Sequence, residues 1–237
     1  MKRTNIVALA ITMLLGAVSS SVFAWEWPTQ MTIGGFSVAN IRGSVNPDGS
    51  GNATGILQMP GGAPRISLSR SASGQITGSL SLSARVYGVE VQGAFTLSDS
   101  GLLGRGVVLT SPRPIVDASI SVGSGGAVNG SGRIQFGSLT LGAQFNFSGG
   151  SCSIKGSAPV APQPQDTPLA VYKFDGQIAL QCAGGAKLGV VANGTVQRTG
   201  KLSSQVSNFT VSNLQVNPSD GKGTCSVGGV SVTFKFF

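Results

Sequence analysis

The sequence predicts an all-β protein: an antiparallel meander of amphipathic strands that forms a curved or elongated sheet, either a sandwich or a groove, with little or no helix after residue 24. Three observations predict this class. Apolar and polar residues alternate with a period of two in one segment after another, which is typical of strands with one buried and one solvated face. Turn signals separate these segments at a spacing typical of a meander. The 36 glycines fall in turns and also inside strands, where they favour a strongly bent sheet.

The alternating segments recur along the whole chain after residue 24. In one of them Leu80 and Leu82 alternate with serines. The predicted strands cover 76–84, 86–97, 118–122, 139–147, 174–180, 209–216 and 230–236. Their polar faces consist of Ser, Thr, Asn and Gln, which explains why only 10% of the residues are charged, against about 25% in an average soluble domain.

Short dipeptides predict the turns between these strands. Asn129-Gly130 and Asn193-Gly194 suit type I′ hairpin turns, which need positive φ at both central residues. Further turns are predicted at Asp48-Gly49, Ser73-Gly74, Ser100-Gly101 and Asp220-Gly221.

Residues 1–24 are predicted to be a cleaved signal peptide. Lys2 and Arg3 precede an apolar stretch over 6–18, and Val22-Phe23-Ala24 places small residues at the positions that signal peptidase requires. The apolar stretch is shorter than the ~20 residues of a membrane-spanning helix. We therefore expect an exported protein, located in the periplasm, in the outer membrane, at the cell surface or outside the cell.

A proline-rich segment divides the predicted mature chain. Residues 157–168 contain four of the 11 prolines and predict a linker or a long loop. On one interpretation they separate a β-rich domain over 25–156 from a smaller β-rich segment over 169–237, which a disulfide could stabilise. On the other, one continuous sheet contains a long loop.

The three cysteines fit an oxidising compartment. Their odd number predicts one disulfide and one free thiol among Cys152, Cys182 and Cys225. A Cys182–Cys225 bridge would close the C-terminal segment on itself, whereas a Cys152–Cys225 bridge would join two similar segments across the proline-rich stretch. The sequence does not choose the pair.

The composition argues against an enzyme. The chain has no histidine, which excludes a Ser-His-Asp triad, a Cys-His pair and a His-ligated zinc site. No two carboxylates have a spacing that suggests acid–base catalysis. The oxygen-rich stretch 46–52 has alternate spacing like that of a calcium loop but lacks the distal glutamate, so it favours a hairpin turn. We predict no catalytic, cofactor-binding or metal-binding residues and no cofactor.

Five aromatic residues are candidates for contact with a partner or a membrane interface. They are Trp25, Trp27, Phe234, Phe236 and Phe237. The last eight residues alternate and end on aromatics, and they resemble the C-terminal strand of bacterial outer-membrane β-barrels. That resemblance implies a barrel inserted in the outer membrane. Two Trp and two Tyr are few for the aromatic girdles of such barrels, so we keep the barrel as an alternative.

The distribution of charged residues along the chain argues against nucleic acid as a partner. Removal of Lys2 and Arg3 leaves 14 of the 16 basic residues against 8 acidic ones, and the basic residues are scattered singly. This pattern lacks the basic cluster of a nucleic-acid-binding protein.

The predicted function is therefore that of an exported, non-catalytic β-sheet protein of the cell envelope or surface, which acts as a structural, scaffolding or binding protein. Its partner would be an envelope component or a protein, with a lipid or an anionic polymer as candidates. A self-assembling fibre or surface-layer subunit is a second alternative, so self-association is also considered.

Overall fold

A computed structural model describes residues 25–86 and 88–237. The predicted fold class is confirmed: strands make up 70% of the structure, and no helix occurs among the described residues. Accordingly, that part of the chain has no helix long and apolar enough to cross a membrane. The predicted signal peptide, 1–24, lies outside the described residues.

The first sheet is a meander of eleven antiparallel strands in which each strand pairs with the next along the chain. The strands are β1 (Gln30–Ile33), β2 (Phe36–Val45), β3 (Gly51–Gln58), β4 (Arg65–Arg70), β5 (Ile76–Val86), β6 (Val89–Ser98), β7 (Gly101–Leu109), β8 (Ile115–Val122), β9 (Val128–Phe136), β10 (Leu139–Ser148) and β11 (Ser151–Lys155). Along each strand, buried apolar residues alternate with exposed polar ones. One face of the sheet is therefore apolar and buried, and the other is polar and solvated.

The first sheet curls into a half-barrel. The turn between β1 and β2 packs closely on the turn between β6 and β7. A Cβ atom placed on Gly34 would lie only 2.7 Å from the backbone nitrogen of Gly101, so only glycine fits there. The same turn reaches the one between β8 and β9, since a Cβ on Gly35 would lie 2.8 Å from Ser124 Oγ. Strands that are far apart in the sheet thus meet at their ends.

The second sheet begins where the first one ends. It contains β12 (Ser157–Val160), β13 (Gln165–Asp166), β14 (Ala170–Cys182), β15 (Leu188–Gly200) and β16 (Val206–Val216), in the order β12-β14-β15-β16 with β13 also paired to β14. The amide of Leu180 donates a hydrogen bond of 2.8 Å to the carbonyl of Gly156, so β14 lies directly beside the chain as it leaves β11. The proline-rich segment 157–168 contains β12 and β13.

A C-terminal hairpin completes the structure, formed by β17 (Lys222–Val227) and β18 (Val230–Lys235). Its Phe234 and Phe236 pack on Phe174 of β14, with ring centroids 5.8 Å and 5.1 Å from that of Phe174. One continuous cluster of buried apolar side chains contains residues from both sheets and from the hairpin.

Two of the predicted turns are wrong. Asn129-Gly130 lies inside β9, and Asn193-Gly194 lies inside β15. The other four are confirmed, with positive φ at their glycines: Gly49, Gly74, Gly101 and Gly221.

Candidate functional site

An open groove of about 700 Å³ lies on the polar face of the first sheet and crosses β7 to β11. We call it the polar groove. One wall consists of Leu103, Ser121, Asn129, Asn146 and Ser153. The opposite wall consists of Ser119, Ser131, Gln144 and Lys155. The floor between them is formed by Gly104, Ile120, Gly130 and Phe145.

The register of the strands aligns these walls. Leu103 pairs with Ser121, Ser121 with Asn129, Asn129 with Asn146, and Asn146 with Ser153. Directly opposed residues of antiparallel strands point to the same face, so each wall is a row that runs perpendicular to the strands. With neighbouring strands about 4.8 Å apart, the row spans roughly 19 Å.

Two glycines in the floor keep the core packed beneath the groove. A Cβ on Gly104 would lie 2.6 Å from Cγ of Phe95, and a Cβ on Gly130 would lie 2.6 Å from Cζ of Phe145. The aromatic rings therefore lie over these glycines on the buried side of the sheet. On the solvent side the floor is made largely of backbone, because Ile120 and Phe145 direct their side chains inward and the two glycines have none.

A second groove of about 410 Å³ adjoins the first. It shares Ser131, Gln144 and Lys155 with the polar groove and extends toward Gly142 and Gly156. Lys155 stands between the two grooves and is the one charged residue among their lining residues. A Cβ on Gly142 would meet no heavy atom within 4 Å, so this exposed glycine leaves space on the sheet surface.

The charge of the surrounding face is positive. On this face the strands of the first sheet carry six basic side chains and two acidic ones. A seventh basic residue, Arg70, lies on the opposite face, over the ring of Trp25. Both acidic residues lie beside arginines: Asp117 forms an ion pair with Arg133, and Glu90 lies opposite Arg85 in the register of β5 and β6. The basic residues that remain without an acidic neighbour in the register attract anions at this surface.

The side chains that line the polar groove can form hydrogen bonds and one ionic contact with a ligand. Hydroxyl and amide side chains donate and accept hydrogen bonds, and Lys155 adds a positive charge. Among the described residues, no three His, Cys, Asp or Glu side chains are placed to hold a metal ion together.

The cysteines form a different pair from the two considered in the sequence analysis. Cys152 of β11 is bonded to Cys182 at the end of β14, with 6.0 Å between their Cα atoms. The bridge forms there because β14 packs beside β11, an arrangement that chain order alone does not reveal. Cys225 is the free thiol and is half-buried, and loss of solvent raises its pKa above the ordinary value.

The two tryptophans lie half-buried at the β2 end of the first sheet. Their ring centroids are 4.9 Å apart in an edge-to-face arrangement. Trp27 Nε1 donates a hydrogen bond of 3.1 Å to the carbonyl of Ser44, and the guanidinium of Arg70 lies 4.4 Å from the ring centroid of Trp25. These contacts fix both rings.

The C-terminal phenylalanines lie mainly inside the protein. Phe234 is fully buried and Phe236 nearly so, while Phe237 is half-buried against Phe136, with 4.8 Å between ring centroids.

The residues of the polar groove cannot be recognised from the sequence pattern. Alternation placed Ser119, Ser121 and Gln144 on a polar face, but nothing in the local pattern shows that five strands align them. The chain matches no family model, and comparisons with curated proteins and with solved structures give no match either.

Proposed function

We propose that this is an exported, non-catalytic binding protein of the cell envelope or surface, and that the polar face of its first sheet binds an anionic, hydroxyl-rich polymer. The polar groove, with Lys155 at its edge, is the observation that carries this proposal. Its rows of hydroxyl and amide groups match a ligand with many hydroxyls, and the positive face matches a ligand with negative charge.

Two features support export. Residues 1–24 have the sequence pattern of a signal peptide. The Cys152–Cys182 disulfide is of a kind that persists in oxidising compartments.

A polar polymer fits the surface better than an acyl chain does. The apolar faces of the strands are packed in the core: Phe145 is 4% exposed and Ile120 3% exposed. An acyl chain would have to displace such side chains, and opening a packed core is costly. The polar groove is already open to solvent.

The test is to measure binding of the exported chain to alginate, an anionic polysaccharide, with dextran as the neutral comparison. We expect binding to alginate that weakens as salt is added, and much weaker binding to dextran. Lys155→Gln should lower the affinity by up to about fivefold, the effect of one exposed charge. Gly142→Gln should also weaken binding, since its side chain would occupy the adjoining groove.

Lys173→Gln is the matched control, because Lys173 is an exposed lysine on β14 of the second sheet. It should leave the affinity unchanged. Equal binding of alginate and dextran would overturn the anionic part of the proposal. Binding to phosphatidylglycerol vesicles with none to alginate would overturn the proposal as a whole.

A second candidate function is self-assembly, which one observation favours. β16 pairs with β15 along one side, and its residues 206–211 (Val-Ser-Asn-Phe-Thr-Val) contain no charge, proline or glycine. Strand edges of this composition pair readily with other chains.

Sedimentation at increasing protein concentration tests this candidate. Thr210→Lys would place a charge on the edge strand and should abolish association. Thr195→Lys is the control, since Thr195 lies opposite Thr210 on the neighbouring inner strand. A monomer at every concentration would remove this candidate.

A further inference from the structure

The basic residues on the polar face of the first sheet fall into two groups. In the first group each arginine has an acidic partner: Arg133 pairs with Asp117, and Arg85 lies opposite Glu90. In the second group no acidic residue lies opposite in the register. Its members are Arg42, Arg65, Arg105 and Lys155. The uncompensated positive charge of this face therefore belongs to particular positions.

Two of these uncompensated cations stand at opposite ends of one wall of the polar groove. Lys155 ends this wall on β11, and on β7 the register continues the wall from Ser119 to Arg105. Both cationic side chains are exposed. Because β7 and β11 are four strands apart in the sheet, the two positions are separated by roughly 19 Å at the usual spacing of strands.

The residues between the two cations are uncharged and can form hydrogen bonds. They are Ser119, Ser131 and Gln144, and all three are exposed. The register shifts of β8 lie outside this part of the wall, since Ser119 pairs directly with Arg105 on one side and with Ser131 on the other. The wall is thus a straight row of hydrogen-bonding groups with a positive charge at each end.

The guanidinium of Arg105 is available to an external anion. Its partners in the register are Ala94 and Ser119, and among the described residues no acidic side chain forms an ion pair with it. Asp117 lies two residues from Ser119, but its carboxylate accepts a hydrogen bond from Arg133. A carboxylate of a ligand would therefore meet no competing acid at Arg105.

We propose that Arg105 and Lys155 bind one linear polyanion, which lies across strands β7 to β11 with a carboxylate at each cation. Hydroxyls of the ligand bond to the serines between the two cations, and each carboxylate forms a charge-assisted hydrogen bond. This inference rests on the proposed function and narrows its ligand to a linear acidic polysaccharide with a minimum length. That length is set by the separation of the two cations, because a shorter acidic saccharide engages only one of them.

The length of the ligand provides the first test. A hexasaccharide and a disaccharide of alginate are titrated into the exported chain by calorimetry. The hexasaccharide is long enough to reach both cations, and the disaccharide is not. The hexasaccharide should bind at least about fivefold more tightly, because its second ionic contact forms within one complex.

The second test removes the cation that lies beyond the groove. Arg105→Gln should weaken binding of the hexasaccharide by about three- to fivefold, the effect of one exposed charge. The same variant should leave the affinity for the disaccharide within about twofold of the original, because that ligand still binds at Lys155. Arg105→Lys keeps the charge and should recover most of the affinity for the hexasaccharide. Circular dichroism checks that each variant is folded.

Arg85→Gln is the matched control. It removes the same charge from an exposed arginine on the same face of the same sheet, but Arg85 lies opposite Glu90 and outside the walls of the groove. It should change the affinity for the hexasaccharide much less than Arg105→Gln does.

Every other outcome bears on the proposal. Equal losses in Arg85→Gln and Arg105→Gln would show that only the overall charge of the face matters, and they would overturn the paired site while the proposed function stands. Equal affinity for the two saccharides, or no recovery in Arg105→Lys, would also overturn the paired site alone. A folded protein that binds no alginate of any length would overturn both proposals.

Discussion

Single residues determine where the strands of this protein bend. Asn40, Asp117 and Asn213 have φ values of 55°, 49° and 54°, and each lies where one extra residue interrupts the register of a strand pair. Asparagine and aspartate adopt this conformation more readily than other residues with side chains. At Asn213 the backbone amide also donates a hydrogen bond of 2.8 Å to Asn193 Oδ1. Such bulges increase the local twist of a sheet.

Glycines inside the strands should differ sharply in how they tolerate a methyl group. Gly130→Ala should destabilise the protein by about 1–3 kcal/mol, because the new Cβ would overlap Phe145 in a packed core. Gly142→Ala is the matched control and should change stability by less than about 0.5 kcal/mol, since space is open around it. Urea unfolding measures both. Equal losses would contradict the packing described for the groove floor.

The thiol of Cys225 should make the folded state sensitive to alkaline pH. Burial raises its pKa above the ordinary value of 9.0, so well below pH 9.0 the thiol is protonated in both the folded and the unfolded chain. As the pH rises through about 9.0 the unfolded chain releases the proton first, and the free energy of unfolding should fall until the folded pKa is passed. Urea unfolding midpoints across this range should decline less in Cys225→Ser. An identical decline in both proteins would rule out the thiol as the cause.

At the scale of elements, the junction between β11 and β14 joins the two sheets. Gly156 separates β11 from β12, and a Cβ at this position would lie 3.0 Å from Cδ1 of Leu180. The close approach lets β14 lie beside the exit of the first sheet. The Cys152–Cys182 bond fixes the same junction covalently.

Removal of this disulfide should weaken the whole fold. The double variant Cys152→Ala, Cys182→Ala should lose about 3–4 kcal/mol of unfolding free energy, because the bond closes a loop of 30 residues in the unfolded chain. Chemical denaturation measures the loss, and Cys225→Ala is the control that keeps the bond. Peptide mapping without reduction should recover Cys152 and Cys182 in one linked fragment. A linked fragment that contains Cys225 would contradict the pairing.

At the scale of the whole molecule, the buried core is continuous. Phe136 of the first sheet contacts Phe237, and Phe174 of the second sheet contacts Phe234 and Phe236 beside it. The C-terminal hairpin thus packs against both sheets. A core shared in this way couples their stabilities.

We expect the described chain to unfold in a single transition. Tryptophan fluorescence reports on the β2 end of the first sheet, where both tryptophans lie, and far-ultraviolet circular dichroism reports on all strands. The two probes should give coincident curves in urea, as for a two-state protein. Phe174→Ala, which should cost about 3–5 kcal/mol, should shift both curves together. Separate transitions would instead favour two domains divided at the proline-rich segment.

The polar groove depends on features of single residues, of individual strands and of the whole sheet. Alternation along each strand produces a polar face, bulges at single residues adjust the register, and the meander of eleven strands aligns the polar side chains into rows. A change of one residue in register would move every side chain of a strand to the other face. The rows therefore exist only in the assembled sheet.

The sequence by itself determined the fold class and seven of the strands, namely β5, β6, β8, β10, β14, β16 and β18. Alternation within segments such as 139–147 and 174–180 is local information, and both segments are strands in the structure. It also determined that one disulfide and one free thiol were to be expected.

Only the tertiary structure decided which residues meet. It placed Asn129-Gly130 inside β9 and in the floor and wall of a groove, where a turn was predicted, because β8 and β10 pair with this segment on both sides. The ring of Phe145 covers the glycine there. It selected Cys152 and Cys182 as the bonded pair, because β14 packs beside β11. It also aligned Lys155 with serines of strands far away in the sequence. Each of these outcomes depends on contacts between distant segments, which a pattern confined to one strand does not contain.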